Sequence, residues 1–102
     1  MSEIQINIMI VDDHQLVVEG LKSLLSNIDN MKIVAEANNG KESVEILSKK
    51  HVDIVLMDVE MPVMNGWDAT KIITSHYPNT KVIALTTFSE KAIIKKMLNA
   101  GA

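Results

Sequence analysis

The stretch "VLMDVEMPVMNGW", residues 55–67, holds the end of an apolar run and the loop that follows it. The run stops at Asp58, and Pro62 and Gly66 lie in the loop. Proline disfavours helical backbone at the residue before it, and glycine permits turn conformations that other residues avoid. The stretch therefore predicts a buried strand with a carboxylate at its carboxyl end.

The rest of the chain repeats this alternation of strand and helix. Short apolar, β-branched runs predict strands at residues 6–11, 32–37, 53–58 and 81–87. Between and after them, apolar residues recur at helical spacing and predict helices at residues 12–28, 38–50, 66–77 and 89–102. This βαβα pattern predicts an α/β fold, a flavodoxin-like doubly wound parallel sheet with strand order 2-1-3-4.

The first two predicted helices each carry an apolar face. In the second helix that face contains Val44 and Leu47. An aspartate at the start of the first helix is expected to accept hydrogen bonds from the free N–H groups of its first turn. The stripe predicted for the first helix consists of Val17, Leu21, Leu24, Leu25 and Ile28.

Composition limits the classes of protein to which the chain can belong. Its 102 residues are 47% hydrophobic, enough for one small domain, and its formal net charge is −3 with only lysines as basic residues. We expect no direct contact with nucleic acid, because no basic surface is indicated. There is no cysteine and no apolar run of about 18 residues, so we expect a cytoplasmic protein without membrane contact. The three histidines, at 14, 51 and 76, are too far apart for a recognisable metal motif.

Polar residues follow three of the predicted strands. Asp12 and Asp13 come directly after the first, Asp58 lies at the end of the third, and Thr86 and Thr87 lie at the end of the fourth. Ligand sites in such sheets lie at the carboxyl ends of the strands, so these side chains are expected to meet. Three adjacent carboxylates must share a proton or hold a cation, and Mg²⁺ with its oxygen ligands is the simplest solution. The alternative is that the aspartates only cap a helix and begin a turn.

The stretches "IMIVDDHQLVVEGLKSLL", "DIVLMDVEMPVMNGWDAT" and "VIALTTF" resemble the receiver domain of bacterial two-component response regulators. The acidic pair and the opening after it are most similar to receivers of LuxR-type transcriptional regulators. The resemblance covers residues 1–102 as one receiver domain that is incomplete at its C-terminus, because the fifth strand and fifth helix of the family are missing after "NAGA".

The resemblance implies a role for each strand-end residue. Asp58 accepts a phosphoryl group from a sensor histidine kinase, and the hydroxyl of Thr86 acts as the switch that binds this group. Mg²⁺ is held by the carboxylates of Asp13 and Asp58 and the backbone carbonyl of Glu60, while Asp12 acts through a bound water. The domain is expected to signal rather than to work as an enzyme, apart from self-catalysed phosphotransfer and dephosphorylation.

The resemblance also implies partners and leaves an alternative. We expect a C-terminal output domain outside this chain, of the DNA-binding transcriptional type. An exposed edge on the fourth strand predicts a dimer through that edge or through the receiver surface. Because the lysine of the fifth strand is missing, the alternative is a phosphorylation-independent interaction module. A phosphatase of the haloacid dehalogenase type is disfavoured, because Glu60 stands where those enzymes have a second aspartate.

Overall fold

The computed structural model describes residues 5–58 and 66–85, except for the side chain of Trp67. The predicted fourth helix and the loop at 59–65 lie outside the described residues. No helix in the described part of the chain is long and apolar enough to cross a membrane. The elements in chain order are β1 (Ile6–Val11), α1 (Gln15–Leu25), β2 (Met31–Ala37), α2 (Gly40–Leu47), β3 (Ile54–Asp58), α3 (Gly66–His76) and β4 (Lys81–Leu85).

The four strands form a parallel sheet of order β2-β1-β3-β4, which confirms the predicted flavodoxin-like topology. The chain moves in one direction from β1 to β2 and in the other from β2 to β3 and from β3 to β4. Because crossover connections are right-handed, α1 lies on one face of the sheet and α2 and α3 lie on the other. The direction reverses between β1 and β3, and that position is where such sheets bind ligands.

The main core lies between the sheet and the pair α2 and α3. Strand residues alternate between the two faces, and the alternation in β3 buries Val55 and Met57 on the core side. The central strand β1 is buried over its last four residues and half-buried over its first two, which fits its almost continuous apolar sequence. The buried core cluster consists of Met9, Val11, Ala37, Leu47, Val52, Val55, Met57, Ala69, Ile73 and Val82. Leu47 is buried there and Val44 packs against the cluster, as predicted for α2.

The apolar face of α1 is rotated from the predicted one. Val18, which was not in the predicted stripe, is the buried residue of the helix, and Leu21 and Leu25 are half-buried. Val17 and Leu24 are exposed, and so is Ile28 beyond the helix end. The prediction was wrong for these three, because apolar residues lie on more than half of the helix circumference and spacing alone could not choose the buried arc.

The start of α1 also differs from the prediction. His14 is the N-cap residue, and no side chain caps the helix there. Asp12 instead accepts a hydrogen bond from the backbone N–H of His14, at 2.8 Å. An aspartate two residues before the N-cap cannot reach the amides of the first turn, which require a side-chain oxygen at the N-cap itself. The α2 helix does have such a cap, because Asn39 accepts a hydrogen bond from the backbone N–H of Glu42 at 2.8 Å.

Asp53 joins three strands at the end of the sheet where β3 begins. Its carboxylate accepts a hydrogen bond from the backbone N–H of Asn7 at 2.8 Å, and its own N–H donates to the Asn7 carbonyl at 2.8 Å. The N–H of Lys81 donates to the Asp53 carbonyl at 2.9 Å. This cluster of bonds fixes the relative register of β1, β3 and β4 before the strands run toward their carboxyl ends.

Candidate functional site: an acidic pocket at the strand ends

The register between β1 and β3 brings the strand-end aspartates together. Val11 pairs with Met57, and both face the main core. The next residue of each strand therefore points to the opposite face, and these residues are Asp12 and Asp58. The backbone N–H of Asp12 donates to the carbonyl of Ala37 in β2 at 3.0 Å, so Asp12 is held at the reversal point of the sheet.

Four side chains form the pocket, which we call the acidic pocket: Asp12, Asp13, His14 and Asp58. One ligand atom from each lies within 4.8 Å of the others. The side chain of Asp12 is only 5% exposed and that of Asp58 is 16% exposed, whereas Asp13 and His14 face solvent. Asp13 and His14 therefore form the solvent-facing part of the acidic pocket, and Asp12 and Asp58 form its more buried part.

The structure places His14 among the carboxylates, which the sequence analysis did not expect. Its ring Nδ1 lies 2.9 Å from Asp12 Oδ1, 3.1 Å from Asp13 Oδ1 and 3.9 Å from Asp58 Oδ2. From the sequence, only the distances along the chain between the three histidines were considered, so this contact was not predicted. Its position directly after Asp13, in the turn from β1 to α1, was a usable signal, because that turn lies at the carboxyl end of β1.

The carboxylates alter the charge behaviour of this histidine. The pKa of His14 is raised above its usual value, first by the hydrogen bond with Asp12 and then by the negative charges of Asp13 and Asp12. A protonated imidazole is therefore favoured beside the three acids in the absence of another cation.

The predicted site residues divide into two groups. The structure brings Asp12, Asp13 and Asp58 together as predicted. Glu60 and Thr86 lie outside the described residues, so their places in the site stay predictions.

The donor atoms of the acidic pocket suit a divalent cation. Three carboxylates from two strand ends supply oxygen ligands, which Mg²⁺ prefers, and the exposed Asp13 lets solvent supply the waters that Mg²⁺ retains. Repulsion between the acids also decreases when a cation lies between them. Asp12, Asp13 and Asp58 are the residues that would hold this ion.

Comparison with known families agrees with this geometry. The family model described as the response regulator receiver domain matches residues 8–102. The chain belongs to the response regulator receiver family. This receiver domain is 47% identical over 97 residues to the transcriptional regulatory protein LnrK of Bacillus subtilis (strain 168), covering 95% of this chain and 44% of LnrK.

Two further comparisons place the receiver domain near transcriptional regulators of the LuxR type. It is 37% identical over 101 residues to the transcriptional regulatory protein DegU of Brevibacillus brevis, covering 99% of this chain and 43% of DegU. A solved LuxR-family two-component response regulator from Aurantimonas sp. SI85-9A1 superposes with a TM-score of 0.89 at 32% identity, covering 96% of this chain and 70% of that one. The chain spans less than half the length of these two curated relatives.

Proposed function

We propose that this receiver domain accepts a phosphoryl group on Asp58 from the phosphohistidine of a sensor kinase. The observation that supports the proposal is the meeting of three carboxylates at the reversal point of the sheet, with their oxygens within 4.8 Å of one another. Asp58 ends β3 and is partly accessible, so an incoming phosphoryl donor can reach its carboxylate. Asp12 and Asp13 flank it from the neighbouring strand end.

The transfer exchanges one bond to phosphorus for another. A carboxylate oxygen of Asp58 attacks the phosphorus, the P–N bond to the kinase histidine breaks, and the histidine nitrogen keeps the electron pair. The products are an acyl phosphate on Asp58 and an imidazole that takes its proton from solvent. Such transfers depend mainly on positioning and on relief of negative charge. The fixed register of β1 and β3 supplies the positioning.

A bound Mg²⁺ supplies the charge relief on the phosphoryl oxygens. Asp13 and Asp58 would hold it by their carboxylates and Asp12 through a water, and the Glu60 carbonyl is a further predicted ligand outside the described residues. The Thr86 hydroxyl, also outside them, is proposed to bind the transferred group as the switch. Self-catalysed dephosphorylation belongs to the same proposal.

The proposed partners are a sensor histidine kinase and a C-terminal DNA-binding output domain, and the proposed location of this protein is the cytoplasm. Relatives named as transcriptional regulators support the output domain, since this chain matches less than half of their length. The acidic balance of −3 supports a receiver that does not itself contact DNA. We also propose a dimer, formed through the receiver surface or the outer edge of β4. Sedimentation velocity at several protein concentrations tests whether this dimer forms.

Intact mass after incubation with acetyl phosphate, with and without Mg²⁺, tests the phosphoacceptor role. We expect a gain of one phosphoryl group that requires Mg²⁺ and is absent in Asp58→Asn. An Asp29→Asn variant is the matched control, because Asp29 is exposed and lies just before β2, at the end of the sheet opposite to Asp58. If wild type gains no mass, or Asp58→Asn gains as much, the proposal is wrong, and the phosphorylation-independent interaction module becomes the better description.

A further inference from the structure

The ring Nδ1 of His14 lies in the acidic pocket at a place where it could bind a metal ion together with the carboxylates. Nδ1 is 2.9 Å from Asp12 Oδ1 and 3.1 Å from Asp13 Oδ1. Its separation from Asp58 Oδ2 is 3.9 Å. A carboxylate from each of two strand ends therefore faces the same nitrogen, and this nitrogen is the one donor atom among the four that is not oxygen.

These separations resemble those between ligands that share one ion. Two ligands at right angles around an ion with bonds of about 2.1 Å are separated by about 3.0 Å. In a tetrahedral zinc site with bonds of about 2.0 to 2.1 Å, ligands are separated by about 3.3 to 3.4 Å. The separations around Nδ1 extend from 2.9 to 3.9 Å and so bracket both arrangements. They also suit hydrogen bonding, so the same placement can serve a proton or a metal ion.

The two classes of divalent ion differ in how they use an imidazole. Mg²⁺ binds oxygen ligands, so the His14 ring contributes nothing to its coordination. Zn²⁺ and Ni²⁺ accept imidazole nitrogen readily and bind it together with carboxylates. His14 can serve either class, because its side chain is 67% exposed and exposed side chains change rotamer readily.

We propose that His14 is a nitrogen ligand for borderline transition ions, so that the acidic pocket binds Zn²⁺ through Nδ1 and its carboxylates but Mg²⁺ through carboxylates alone. The inference rests on the divalent-ion site of the proposed function, but it does not require phosphoryl transfer. His14 is thus the residue that sets which class of ion the pocket prefers.

Isothermal titration calorimetry with Zn²⁺ and separately with Mg²⁺, at one slightly alkaline pH, tests the assignment on the intact chain. In His14→Ala we expect the Kd for Zn²⁺ to rise by at least about tenfold, the usual minimum when support of a metal site is lost. The Kd for Mg²⁺ is expected to stay the same or to fall. An unchanged Kd for Zn²⁺, or equal losses for both ions, overturns the inference.

The chain offers a closely matched control in His51. Its side chain is 66% exposed and its Nε2 lies 2.8 Å from Asp53 Oδ1, but that pair lies at the other end of β3. The His51→Ala variant is expected to bind both ions like wild type. If it loses Zn²⁺ binding as His14→Ala should, the ion binds elsewhere and the assignment is wrong.

Nitrogen NMR of the histidine rings gives a second measurement that does not depend on affinity. Saturating Zn²⁺ is expected to move the Nδ1 resonance of His14 more than its Nε2 resonance, and to leave the His51 nitrogens in place. A response confined to Nε2 of His14, or to His51 or His76, overturns the proposal. If wild type is not phosphorylated by acetyl phosphate but His14→Ala weakens Zn²⁺ binding as expected, only the proposed function is refuted. If wild type is phosphorylated but His14→Ala leaves Zn²⁺ binding unchanged, only the role of His14 is refuted.

Discussion

Two substitutions on α1 test which side of the helix faces the sheet. Val18 is 3% exposed. Val18→Ala removes two methyl groups from the interior, which costs about 1.6 kcal/mol of transfer free energy. The cavity increases this cost, and the better helix propensity of alanine offsets about 0.5 kcal/mol. We expect the free energy of unfolding to fall by about 1.5 to 2 kcal/mol.

The larger residue Leu24 is expected to matter less. Leu24→Ala removes three side-chain carbons, whose full burial would be worth roughly 2.4 kcal/mol of transfer free energy. Because Leu24 is 69% exposed, only about a third of this is lost, or about 0.7 kcal/mol. Urea unfolding followed by circular dichroism measures both variants, and equal slopes against urea ensure that the free energies are comparable. If Leu24→Ala costs as much as Val18→Ala, the orientation of α1 in the structure is wrong and the stripe predicted from spacing is right.

Three further predictions concern the cap of α2, the Asp53 cluster and the acidic pocket. Asn39→Ala is expected to lower the free energy of unfolding by about 1 kcal/mol, whereas Asn38→Ala changes it little in the same urea assay. The pKa of Asp53 is lowered, first by the hydrogen bond from Asn7, so its ionised form stabilises the fold above the unfolded pKa of about 4, and this stabilisation is lost as the pH falls through the lower folded pKa. The stability gap between wild type and Asp53→Asn should therefore shrink below about pH 4 in urea melts, and a gap that widens there contradicts this sign. Mg²⁺ at a hundredfold excess over its Kd is expected to stabilise wild type by about 2.7 kcal/mol and to have a smaller effect on Asp13→Asn, measured by thermal unfolding with EDTA as the ion-free reference.

Sequence patterns predicted the strands well because buried parallel strands have a distinctive composition. The predicted 6–11 strand agrees with β1 residue for residue, and the predicted meeting of Asp12, Asp13 and Asp58 follows from strand order and register alone. The orientation of α1 could not be predicted, because its buried side depends on which neighbours cover it. The contact between His14 and the carboxylates was missed because the histidines were compared only with one another, although His14 directly follows Asp13 at the carboxyl end of β1.

The hydrogen bonds around Asp53 determine how freely the residues at the carboxyl ends of the strands can change. They align the strands about 16 Å from Asp58, at the opposite end of the five-residue strand β3. A slip of one residue between β1 and β3 would turn Asp58 toward the main core and place Met57 in the acidic pocket instead. Because alignment is set at the far end, side chains around Asp58 can be exchanged without a shift of β3 along β1. The ion preference of the acidic pocket can then evolve one side chain at a time, on a backbone that stays in place.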